Sequence, residues 1–338
     1  MDNSKSVFTP HDVGMAGYDA ANYARDNEAV GIDLSVKGEP DLKEYFARLL
    51  PFEICAVQGQ TSNGKSTFFD WWEDCIARQL KAENRNEVVV HVSVEDTIEA
   101  MSFYQYSKIL DIKTASLARG QVEQDKLQWA MTVIDGMPIY RIGDSAQRDE
   151  DAPELYLSNI YRCIRELIKG EVTGDPIKPA IVFVDYLQAL PIDPEIKQAN
   201  HDAQRRLQVR SDVYRLRQMA THLKCPVVVG VQAKQKLDGA NPPLMIPGIY
   251  DGEETASIAQ RFDRIISLWM PKMTYPVGRE LEGFGNVRED QVFLKVNKQR
   301  GGLPSGKIWE LKLDFAKREF VSPFKPMIEP RDITGERD

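Results

Sequence analysis

From Phe52 onward, short β-branched runs alternate with longer segments of helical period, and this pattern constrains the fold more than any other feature of the chain. The runs FEICAVQ, EVVVHVSV, MPIYRIG, AIVFVDYL and CPVVVGVQ have helical stretches between them, which is the signature of a parallel sheet with crossover helices. RIISLWM, QVFLKVNK and KIWELKL follow closely and are joined by turn-rich segments, so the sheet is expected to end in antiparallel strands. The expected class is α/β, a mostly parallel twisted sheet flanked by helices. Residues 1–45 are polar and mixed, with one weakly helical segment, and read as an arm leading into a main domain over 46–325, with 326–338 as a tail.

Two helical segments carry more detail. STFFDWWEDCIARQL puts Phe68, Phe69, Trp71, Trp72, Cys75, Ile76 and Leu80 on one broad half of a helix, a stripe suited to packing on a sheet. Over 200–223, Val209, Val213, Leu216, Ala220 and Leu223 form a second stripe, with Arg206, Arg210 and Arg217 along one edge of it. That arginine edge reads either as the solvated flank of a surface helix or as a contact with a neighbouring subunit or polyanion.

A length of 338 residues suffices for one large α/β domain or two modest ones. The net charge of −8 argues against a protein that coats nucleic acid by bulk attraction, so any nucleic-acid site must be local. Cys55, Cys75, Cys163 and Cys225 form no C-x-x-C pair, which suggests neither a zinc site nor a disulfide framework. No apolar run approaches the ~20 residues of a membrane helix, and the first residues lack the apolar core of a signal peptide. A soluble protein of the reducing cytoplasm, without a membrane partner, is the expectation.

The segment GQTSNGKST lies between the strand ICAVQ and the aromatic stripe, and it fits G-x-x-x-x-G-K-[ST] in the strand-to-helix context that the pattern requires. Gly59, Gln60, Thr61, Ser62, Asn63, Gly64, Lys65, Ser66 and Thr67 are therefore the candidate phosphate cradle. Glycines let backbone N–H groups close around phosphate, and the helix N-terminus adds positive potential. Lys65 would reach the terminal phosphates while the Ser66 hydroxyl ligates Mg²⁺. ATP and Mg²⁺ are the expected cofactors.

An acidic residue ending an apolar strand should complete the metal site, and AIVFVDYLQ supplies Asp185. Alone, such an Asp is a common turn starter; beside the phosphate loop, the metal role is favoured. EVVVHVSVED ends in Glu95 and Asp96, and Glu95 is the candidate base for activating water. The bland alternative, an acidic helix cap, describes Asp96 better. CPVVVGVQ closes on Gln232, which reads as a γ-phosphate sensor or, equally, as a buried glutamine satisfied by backbone.

With these segments in order, the chain resembles the RecA-type motor domain of DnaB-family replicative helicases over roughly residues 45–322. GQTSNGKST looks like the family's phosphate loop, HVSVED like its strand ending in a catalytic glutamate, and IVFVDYLQ like its Asp-Tyr-Leu-Gln segment. PVVVGVQ is similar to its sensor-glutamine strand, SIAQRFDRIISL to its segment after the DNA loop, and VNKQRGGLPSGKIWELKLD to its Lys-x-Arg-x-Gly strand and hairpin. The resemblance implies a RecA-like ATPase in a homo-oligomeric, hexameric ring moving 5′ to 3′ on single-stranded DNA. It makes Lys298 and Arg300 groups that act on the neighbouring subunit's nucleotide, with Arg300 as the arginine finger.

It also puts a DNA-contacting loop between Gln232 and Ser257, where Lys234 and Lys236 are the candidate strand contacts. In that loop Tyr250-Asp251-Gly252-Glu253-Glu254 stands where a basic residue is often found, so either the lysines and backbone amides bind the strand or the motor grips something else. The stretch ahead of Phe52 is too short for the family's primase-contacting helical domain, so primase coupling is not expected. A stripped-down motor of a phage or mobile element fits this pattern. The alternative is a RecA-like regulatory or assembly ATPase that does not unwind.

Overall fold

A computed structural model describes residues 9–26, 49–147, 154–194, 196, 201–234, 245–252, 257–281, 283–300, 306, 308–315 and 317–328. Its helices are α1 (Pro10–Asp26), α2 (Lys65–Ala82), α3 (Ile98–Leu110), α4 (Thr114–Ala118), α5 (Gln124–Asp135), α6 (Leu157–Lys169), α7 (His201–Leu223) and α8 (Ser257–Arg261). The strands are β1 (Ile54–Gly59), β2 (Val88–Ser93), β3 (Ile139–Ile142), β4 (Pro179–Asp185), β5 (Val227–Gln232), β6 (Arg264–Trp269), β7 (Glu280–Leu281), β8 (Gly285–Asn286), β9 (Gln291–Gln299), β10 (Ile308–Asp314) and β11 (Glu319–Ile328).

Nine strands form one sheet in the order β11-β10-β9-β6-β1-β5-β4-β2-β3, and β7 and β8 make a separate small hairpin. From β6 to β3 every pairing is parallel, while β9, β10 and β11 join antiparallel, so the expected class holds with its parallel body and antiparallel end. All eight runs read as strands are strands. The ninth, β11, has Pro323 and Pro326 within it, and at the sheet edge their missing N–H groups cost no ladder bond on the open side.

Each central strand is apolar on both faces because helices cover both. On β1, Cys55 and Val57 face α2, while Ile54 and Ala56 face the layer of α6 and α7. The stripe on α2 is buried throughout and packs on Phe183, Leu268, Trp309 and Phe320. On α7, Val209, Val213, Leu216 and Ala220 are fully buried, and Leu223 packs at the margin.

The arginine edge of α7 divides. Arg206 and Arg210 are exposed. Arg217 is neither a solvated flank nor a free contact surface: it donates to the Phe52 carbonyl at 2.9 Å and the Arg261 carbonyl at 2.8 Å, and pairs with Asp263 at 2.6 Å.

The apolar reading of α2 leaves out Glu73, which is buried with it. Burial opposes its ionisation, but Arg141 on β3 and His91 on β2 hold its carboxyl below the ordinary range. His91 Nδ1 lies 2.6 Å from Glu73 and Arg141 Nη2 lies 2.5 Å from it, so the cluster ties α2 to two strands. Among the described residues, no helix is long and apolar enough to cross a membrane.

Candidate nucleotide-binding site

β1, β2, β4 and β5 run parallel, so their carboxyl ends lie along one edge of the sheet, where the phosphate loop joins β1 to α2. Ser62 (φ 63°) and Gly64 (φ 82°) are left-handed, and at Gly64 the lack of a Cβ makes that turn cheap. Asn63 is buried. Its Oδ1 accepts from Met270 N at 2.8 Å and its Nδ2 donates to Thr61 O at 3.0 Å, which fastens the loop to the end of β6. Lys65 Nζ donates to Gly59 O at 2.9 Å, Gln60 O at 3.1 Å and Gln232 Oε1 at 3.0 Å.

Across the loop stand the carboxylates. Asp185, at the end of β4, is buried; burial raises its carboxyl above the ordinary range, opposed by the hydrogen bond from Ser66. Among the described residues its Oδ1 has no hydrogen-bond partner. A hydroxyl beside a carboxylate with an unsatisfied buried oxygen is a hard-oxygen donor set suited to Mg²⁺. Glu95 stands exposed at the cavity mouth just beyond β2. Partial desolvation there, then the Asp185 and Asp96 carboxylates, push its carboxyl up, with Lys65 opposing. A carboxylate shifted in that direction is a better proton acceptor at neutral pH.

The cap reading of this turn gives way to another residue: Thr97 caps α3, accepting from Ala100 N at 3.3 Å. Ser93 Oγ bonds both Asp96 N at 3.1 Å and Asp96 O at 3.0 Å, closing the turn that presents Glu95.

Among the described residues the side chain of Gln232 is engaged by the phosphate loop: it accepts from Lys65 Nζ and donates to Thr61 Oγ1 at 2.8 Å. Its own backbone is held by Gln188, whose Oε1 accepts from Gln232 N at 2.9 Å and whose Nε2 donates to Gln232 O at 3.4 Å. Arg205 of α7 in turn donates to the Gln188 and Leu190 carbonyls. Sequence reading gave Gln188 no role, although it closes the quoted Asp-Tyr-Leu-Gln segment.

Gly230 is a second residue it missed. A Cβ there would lie 2.9 Å from Asp185 Oδ1 and 2.9 Å from Tyr186 Cβ. Gly230→Ala is therefore expected to cost about 1–3 kcal/mol of stability through overpacking; an unchanged denaturant midpoint would show that Asp185 has room to move.

Lys65, Ser66, Glu95, Asp185 and Gln232 line a cavity of about 560 Å³, within the range of a small-molecule site. Its lining combines the polar groups of Lys65, Ser66, Glu95 and Asp185 with the apolar side chains of Met270, Met273, Leu313 and Phe315, and the Lys272 ammonium lies 3.8 Å from the centre of the Phe315 ring.

Lys298 and Arg300 are elsewhere. β9 runs antiparallel to β6, with Gln299 opposite Arg264, and Arg264 is opposite Cys55 at the start of β1. Four residues of strand separate that level from Gly59, ~13 Å at the rise of a β-strand. The pair therefore lies at the end of the sheet away from its own phosphate loop. Lys298 Nζ donates to Ala259 O at 2.7 Å and Gln260 O at 3.2 Å, and Arg300 pairs with Asp263 at 3.2 Å.

Lys234 is exposed at the root of the expected DNA loop, where its N–H donates to Asp251 O at 2.8 Å and its carbonyl accepts from Gln60 at 3.2 Å. Lys236, Glu253 and Glu254 lie outside the described residues.

The model of the DnaB-like helicase C terminal domain matches residues 37–321. No curated protein matches the chain. Among solved structures, the ATPase domain of G40P aligns with a TM-score of 0.67 at 18% identity, covering 94% of this chain and 100% of that one. A DnaB-like replicative helicase, described together with its interactions with primase, aligns with a TM-score of 0.66 at 17% identity, covering 93% of this chain and 68% of that one. At such identities the two structures speak for the RecA-like helicase fold, while the family match spans most of the sequence. The chain belongs to the DnaB-like helicase C-terminal domain family.

Proposed function

We propose that this chain is the ATP-hydrolysing motor of a ring that moves on single-stranded DNA, each active site being made by two subunits. The observation that carries the reading is the separation just described. Lys65, Ser66, Glu95, Asp185 and Gln232 gather at one end of the sheet, and Arg300 stands at the other.

Phosphoryl transfer spreads negative charge over the equatorial oxygens of the γ-phosphate, and cations fixed there lower the barrier. Lys65 supplies one from within the subunit. Glu95 accepts the proton of the attacking water, and Gln232, bonded to Lys65 and Thr61, reports whether the terminal phosphate is present. Bound Mg²⁺, held by Ser66 and Asp185, would neutralise phosphate charge. Arg300 and Lys298 of the adjoining subunit complete the set.

Coupling to DNA runs through the root of the loop, since Gln60 of the phosphate loop bonds the Lys234 carbonyl and Gln232 lies two residues before Lys234. The test is steady-state ATP turnover with and without single-stranded DNA across a salt series. Stimulation that fades as salt rises is expected, because contacts to phosphate release counterions. Turnover indifferent to DNA would favour the regulatory ATPase instead.

A further inference from the structure

Arg300 does not project from a bare strand end. Asp263, between α8 and β6, is 4% exposed. Its Oδ2 accepts from Ile54 N at 2.9 Å and pairs with Arg217 at 2.6 Å, while Oδ1 accepts from Arg300 Nη1 at 3.2 Å. The backbones are joined as well: Arg300 N donates to Asp263 O at 2.9 Å, and Asp263 N donates to Ile54 O at 2.9 Å. Arg300 Nη2 donates to Gln260 O at 3.1 Å, yet its side chain remains 56% exposed. One carboxylate thus faces two guanidiniums with opposite situations. Arg217 is turned inward and fastened to Phe52 and Arg261, and Arg300 is held on one side and open on the other.

We infer that Asp263 is the positioning residue of Arg300: its carboxylate fixes the plane and direction of the guanidinium before the neighbouring subunit's nucleotide arrives. The inference rests on the reading of Arg300 as a trans-acting group. A long side chain free in water would have to be ordered in each catalytic cycle, whereas one braced by a buried carboxylate is already aimed, and preorganised charge lowers a barrier without reorganisation at the moment of reaction. Arg217 and Ile54 anchor the carboxylate itself, so that the direction of Arg300 is referred to β1 and α7, the frame of the domain.

The experiment uses the full chain under conditions in which it assembles. Asp263→Asn is expected to lower kcat by ~10²-fold, the scale of an ångström-level misplacement, with the KM for ATP unchanged. The Asp263→Asn, Arg300→Ala double variant is expected to turn over no more slowly than Arg300→Ala alone; multiplying losses would overturn the inference. Mixing either variant with Glu95→Gln subunits should restore turnover, because a Glu95→Gln subunit offers an intact Arg300 to a partner whose own phosphate site is intact. If Arg300→Ala is rescued in this way and Asp263→Asn is not, Asp263 acts within its own subunit and the inference fails while the trans reading stands. If neither is rescued, the trans reading falls and takes the inference with it. Should Asp263→Asn fail to fold, Asp263→Glu, which keeps the charge but moves the carboxylate by one methylene, goes through the same comparisons with the same expected rescue.

Discussion

Lys65→Ala is expected to lower ATP turnover by ~10²-fold or more, the scale seen when a single group that stabilises transition-state charge is removed, and to weaken nucleotide binding with it. Both effects arise from the same position. The ammonium is nearly buried among Gly59 O, Gln60 O and Gln232 Oε1, within the loop that would cradle the phosphates. Alanine removes the charge and at the same time frees Gln232 from one of its two bonds to the loop. Titration with a fluorescent ATP analogue, alongside phosphate release, reads both quantities. Hydrolysis at the wild-type rate would remove the phosphate-loop argument altogether.

Arg300→Ala should produce a different signature. Turnover is expected to fall by ~10³-fold or more, as for loss of an arginine finger, while nucleotide affinity and assembly stay close to those of the parent chain. The reason is positional: Arg300 is at the far end of the sheet from its own subunit's cavity, so its removal leaves every group in that cavity in place. Sedimentation or light scattering tracks assembly, and single-turnover kinetics separate binding from chemistry. A fall in affinity equal to the fall in rate would mean that the residue supports the ground state only, and a rate left intact would rule out a catalytic cation here.

The sequence made much of this legible because the fold is regular. Strands buried on both faces are continuous β-branched runs, and β1 to β6, β9 and β10 could each be read from their own residues. Glu95, Asp185 and Gln232 could be grouped because each closes such a run, and parallel strands bring their carboxyl ends to one edge. β11 escaped because its prolines look like loop until an open sheet edge is there to tolerate them. Glu73 was hidden inside a helix read for its apolar stripe, since nothing local announces His91 and Arg141 on two different strands as its partners.

Gln188, Gly230 and Asp263 escaped for a related reason. Gln188 acts through a backbone 44 residues away, Gly230 matters only because Asp185 lies across from it, and Asp263 meets Arg300 only through the register of β6 against β9. Such pairings belong to the sheet order, which no single segment encodes. Arg217, similarly, looked like surface until Phe52, Arg261 and Asp263 were found around it.

The two ends of the central sheet give each subunit a polarity. In the proposed reading one end receives and the other donates, so the contact between subunits is head-to-tail and joins unlike surfaces. A lone chain then owns every component of a site and cannot assemble one, and an open arc always leaves its first donor and its last receiver idle. Only closure puts each in use, so activity per chain would rise as arcs close and drop on dilution even where every nucleotide pocket stays filled. Catalysis in such a protein is a property of the circle before it is a property of the polypeptide.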